Sequence, residues 1–173
     1  MSRRMAITIC YLLFGSTLPA QSADWQLTPT RAGKIILGMT IDSLHDAVGR
    51  ENVRLVDLMQ EGQFSPAFQV YQPFQPGSPI AIAEIVGTCG FRVSRISAVS
   101  PLLRTADGLG VGSTIGEVRK RYPAARVGRG EGSVLIVEPL QMSFSTVNDT
   151  FADSSRVVSV LLWSPLPEST RKC

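Results

Sequence analysis

Histidine is nearly absent from this 173-residue chain, the single one being His45. Metal centres and acid–base pairs lean on imidazole, so a multi-histidine metal site is excluded and histidine catalysis has little to work with. The three cysteines, Cys10, Cys89 and Cys173, never fall as a close pair, which removes the zinc spacings too. No metal and no cofactor are therefore expected. Phosphate and nucleophile signatures are missing as well: there is no G-x-x-x-x-G-K-(S/T), no G-x-G-x-x-G and no G-x-S-x-G. Charge is sparse at 18%, with 17 Lys and Arg against 14 Asp and Glu. Basic residues interleaved with aromatics do not occur, so nucleic acid is not an expected partner.

What is present begins with a processing signal. Arg3 and Arg4 precede the apolar run Met5–Gly15, and small residues fill Ser16–Ala23. That order predicts a cleaved signal peptide over 1–23, with cuts after Ala20 and Ala23 both open and Ala23 preferred. The run is short of the about 20 apolar residues that span a bilayer, and a retained anchor is the alternative. A periplasmic or secreted protein with no transmembrane segment in the mature chain is expected. Removing Arg3 and Arg4 leaves 15 basic residues against 14 acidic ones, near neutrality. Cys10 leaves with the signal, so Cys89 and Cys173 form a candidate disulfide in an oxidising compartment. Two free thiols, with Cys89 buried as a small apolar residue, are the other reading.

Two short helices stand out. Gly38-Met39-Thr40-Ile41-Asp42-Ser43-Leu44 offers Thr40 as N-cap, then Ile41, Leu44, Ala47 and Val48 at helical spacing before Gly49. Gly112-Ser113-Thr114-Ile115-Gly116-Glu117-Val118 offers Thr114 and Glu117 as a capping box, with Pro123 as terminator. Strand patterns follow each helix, and R-V-x-x-(I/V)-x-x-x-S-P recurs at Arg92–Pro101 and Arg156–Pro165. The expectation is an α+β fold of two tandem repeats, each a short helix followed by an antiparallel strand meander, with the helices packed on one face of the sheet. Residues 24–173 would form one domain, with repeat one at about 35–101 and repeat two at about 109–165.

The two G-x-T-I-x-x-apolar openings, each leading into a meander, loosely resemble the BamE/SmpA and β-lactamase-inhibitor-protein group of envelope modules. The resemblance implies a tandem module whose two repeats build a concave sheet that grips a partner enzyme.

Candidate binding residues come from three places. Arg104, Thr105 and Asp107 precede the glycine-rich stretch Gly108–Gly116, on a loop where binding residues concentrate. As turn residues, Thr105 and Asp107 could equally bond the loop's own backbone. Arg119 and Arg121 belong to a basic run: between Arg92 and Arg129 there are eight basic residues and two acidic ones. That run is either a solvated face or a dock for an acidic partner. Phe68 and Phe74 mark an aromatic, Pro-rich region that either recognises a partner or plugs a sheet edge. No catalytic residue is assigned. The expected function is an exported, non-catalytic binding or accessory module, inhibitor-like in one form, whose partner is another envelope protein or an anionic surface. Alternatives are a small envelope hydrolase with its site at 104–112, and a purely structural envelope protein.

Overall fold

The structure, a computed structural model, describes residues 25–60, 63–73, 77–86, 91–130 and 132–163. The signal segment, Phe74, Cys89 and Cys173 lie outside the described residues, and so does the candidate disulfide.

A continuous antiparallel sheet of eight strands dominates. Its members are β4 (Val53–Gln60), β5 (Gln63–Val70), β6 (Ala81–Val86), β7 (Arg92–Ala98), β9 (Arg126–Gly130), β10 (Gly132–Val137), β11 (Met142–Thr146) and β12 (Val157–Trp163). They lie in the order β4-β5-β6-β7-β12-β11-β10-β9. Each half is a meander running inward from an edge, and the halves meet where Val160 pairs with Ala98 and Leu162 with Ile96. A second, four-stranded sheet is made of β1 (Gln26–Thr28), β2 (Arg31–Ala32), β3 (Ile35–Ile36) and β8 (Arg104–Thr105), in the order β3-β2-β1-β8.

This overturns the expected class. The described chain is mostly β, with twelve strands in two sheets and only two helices, α1 (Ile41–Val48) and α2 (Ile115–Arg121), of eight and seven residues. It is not an α+β tandem of helix-plus-meander repeats. The chain before Lys34 forms the β1–β2 hairpin, with Leu27 opposite Ala32. β5 runs through Pro66, which stands opposite Asp57.

Period-two alternation explains the core. Directly opposed residues share a sheet face, so Phe68, Ala83 and Ile96 align across β5, β6 and β7, and Leu135, Phe144 and Val160 across β10, β11 and β12. These side chains are buried, and they form one cluster with Leu27, Ala32 and Ile35 of the small sheet, Leu44 of α1, and Ile115 and Val118 of α2. Helices this short are marginal alone and hold only by burying such a stripe.

Both helix entries are tied to a strand start. Gly38 donates its N–H to Val93 O (2.7 Å) and Val93 donates to Met39 O (3.0 Å). Gly112 likewise donates to Val157 O (2.8 Å) and Val157 to Ser113 O (2.9 Å). An arginine at each strand start, the first residue of β7 and the residue before β12, closes the joint: Arg92 Nη1 donates to Gly38 O at 2.8 Å, and Arg156 Nη1 to Gly112 O at 2.9 Å.

Candidate functional site: a basic basin at the β8–α2 turn

The turn between β8 and α2 is locked by its own polar groups. Thr105 is buried, donates its N–H to Leu109 O (2.8 Å), and accepts the Leu109 N–H on its hydroxyl (3.1 Å). The Ser113 hydroxyl, also buried, accepts from Gly110 N–H (3.1 Å) and from Arg104 Nη1 (3.1 Å). Arg104 further donates Nε to Pro101 O (2.9 Å) and Nη1 to Gly108 O (3.2 Å), so its guanidinium staples both arms of the loop. Two glycines are needed here. Gly110 passes so close to the Leu103 carbonyl that a β-carbon would sit 2.5 Å from its oxygen, and Gly112 turns the chain at φ 89°.

That folding leaves an open depression of about 620 Å³ lined by Arg104, Asp107, Glu117, Lys120, Arg121 and Arg156, together with loop backbone. Four cations against two carboxylates give it an excess of two positive charges. The carboxylates are already engaged. Asp107 bonds Arg121 (2.7 Å) and accepts the Tyr122 hydroxyl (2.5 Å). Those two hydrogen bonds, Arg121 first, hold the Asp107 carboxyl below the usual carboxylate range. Glu117 Oε2 accepts the Thr114 N–H (2.7 Å) and hydroxyl (3.2 Å), while the Thr114 hydroxyl accepts the Glu117 N–H (3.2 Å). The Thr114 backbone bond is the main reason Glu117 titrates low, with the nearby charges of Arg156 and Arg104 adding to it. Arg104 and Arg156 are therefore anchored on carbonyl and hydroxyl oxygens rather than on carboxylates of their own.

A phosphate-cradling loop is not what these glycines build. The N–H groups of Gly108, Leu109, Gly110, Gly112, Ser113 and Thr114 are all consumed inside the protein. The first α2 donors are consumed too, Ile115 by Ser155 O (2.9 Å) and Gly116 by Asp153 O (3.0 Å).

Three of the expected binding residues, Arg104, Asp107 and Arg121, thus come together in one basin, and Thr105 is buried outside its lining, bracing the loop through Leu109. Arg119 does not join them; it points to Asp153 at 2.7 Å. Successive helical residues diverge by about 100°, so neighbours in the basic run find different partners. Phe68 is in the core, edge-on to His45 at 5.9 Å, rather than on a recognition surface. The exposed aromatic of that hairpin is Phe64, opposite Met59. Lys120 belongs to the basic run that the sequence marked between Arg92 and Arg129, whereas sequence reasoning missed Arg156 as a site residue. The signal for Arg156 was its match to Arg92 in the recurring R-V frame, which marked a structural joint and not a charge.

No family model matches the chain, and no curated protein matches it. Among solved structures, the uncharacterized protein YfeY from Escherichia coli is similar in fold, with a TM-score of 0.60 at 13% identity. The likeness covers 80% of this chain and 99% of that one.

Proposed function

We propose that this protein is an exported, non-catalytic binding or accessory module, and that it engages an anionic partner, an envelope protein or an anionic surface, through the β8–α2 basin. One observation carries the reading: two arginines are fixed by backbone carbonyls at an open depression whose carboxylates are already engaged, leaving an excess of two positive charges. A surface of this kind attracts and orients anions over several ångströms. The hydrolase alternative gains no support, because His45 packs on Phe68 outside the basin and the Thr105, Ser113 and Thr114 hydroxyls are engaged in loop bonds. The resemblance to inhibitor-type envelope modules is compatible with this reading and adds no residue to it.

Affinity capture from an envelope fraction tests it, comparing the unaltered protein with Lys120→Glu/Arg156→Glu and with Arg119→Gln. The expected result is a partner retained by the unaltered protein and by Arg119→Gln and lost from the double variant. Equal retention by all three removes the basin from the function.

A further inference from the structure

Resting on that binding reading and specifying its ligand, we infer that the basin is a site for a phosphomonoester-type dianion, held between Arg104 and Arg156 and closed by Lys120. The two guanidinium groups stand on consecutive residues of one loop: Arg156 bonds Gly112 O and Arg104 bonds the Ser113 hydroxyl. A β-carbon at Gly112 would lie 3.9 Å from Arg104 Nη2, so that nitrogen reaches the stretch of backbone to which Arg156 is tied. Among the described residues, Arg104 Nη2 and the Nε and Nη2 of Arg156 have no hydrogen-bond partner. Lys120 is exposed and likewise has no carboxylate partner among the described residues.

Three features select the chemistry. The charge excess of two matches a dianion, and a phosphomonoester carries about −1.5 to −2 at pH 7. The donors come from three places in the chain, β8, α2 and the residue before β12, and all three side chains line the same depression instead of forming one flat fork. That arrangement suits a tetrahedral group better than a planar carboxylate, which one arginine satisfies alone. The volume, about 620 Å³, is of the size that takes a small molecule, so the phosphate would enter attached to a polar group that remains near solvent. The N-terminus of α2 plays no part, since its N–H groups are already bonded.

The phosphate could arrive on a soluble ester or on a lipid headgroup, and two arms of one experiment separate these sources. Titration calorimetry with glycerol 3-phosphate reads the soluble ester. Flotation with phosphatidate vesicles, against phosphatidylglycerol vesicles that carry only a diester, reads the lipid. The expected result is saturable binding in at least one arm, at low salt, weakened roughly tenfold or more in Arg156→Gln and in Lys120→Gln and unchanged in Arg119→Gln. Binding should also fall as the pH drops through about 6, where the ester takes up its second proton. Arg104→Gln is a poor probe because that side chain staples the loop, and Arg156→Gln also removes the bond to Gly112 O, so Lys120→Gln carries the test and Arg156→Gln supports it where Tm is unchanged. No saturation in either arm, or affinity in both Arg156→Gln and Lys120→Gln equal to that of the unaltered protein, overturns the inference. If Lys120→Glu/Arg156→Glu still loses a captured envelope partner in that event, the phosphate assignment falls and the binding reading stands; if it loses nothing, both fall.

Discussion

Asp107 ties the β8–α2 turn to the last turn of α2 through two neighbours, Arg121 and Tyr122. The Tyr122 phenol is pushed above 10, first by partial burial and then by its bond to the Asp107 carboxylate. A spectrophotometric titration should therefore place the Tyr122 phenolate midpoint above 10. In Asp107→Asn it should move down but stay raised, because burial is the larger cause; a midpoint that does not move removes the bond. The carboxyl itself titrates below its ordinary value of 3.8. A depressed carboxyl adds stability that is present above its unfolded-state value and is lost as pH falls through the folded one. Asp107→Asn should thus be less stable than the unaltered protein at neutral pH, with the gap closing below about pH 3.8 in acid-unfolding curves. At this scale the sequence was partly legible. Asp107 and Arg121 were readable as charges on a loop and a helix, but their pairing depends on the fold. Phe68 misled because an aromatic beside a Pro-rich stretch looks the same whether its strand face is covered or bare.

The two helices were the most legible elements, since caps are local. Thr114 and Glu117 are three residues apart and satisfy each other's backbone donors whatever surrounds them. Thr114→Ala should cost about 1 kcal/mol in chemical denaturation. Gly110→Ala should cost more, about 1–3 kcal/mol, because the new β-carbon meets a backbone carbonyl that cannot swing away. A variant as stable as the parent would mean that the loop relaxes and the close approach is not needed. The small sheet was not legible. Its strands are two or three residues long, too short for a period-two pattern to rise above composition. β8 carries Arg104, so missing that sheet also meant missing what positions the site.

Across the whole molecule, the eight-stranded sheet has no internal break, and β7 joins β12 through four opposed residue pairs. Unfolding should therefore be one cooperative transition, followed coincidently by far-ultraviolet dichroism and by fluorescence of Trp25 and Trp163. Ile96→Ala at that joint should cost about 2–5 kcal/mol and lower both signals together. Two separated transitions would show that the halves fold independently. The fold class was the least legible property, because the strong local signals lie in the two helices while the strand content is spread over many short segments. Among the described residues no helix is long and apolar enough to cross a membrane. The joint at Gly112 bears on synthesis as well as on structure. Its carbonyl waits for Arg156, 44 residues further along, so a ribosome must deliver the start of β12 before the last arginine of the basin is in place. A nascent chain stopped short of that point would carry Arg104 and Lys120 without Arg156, so the basin is completed only late in synthesis.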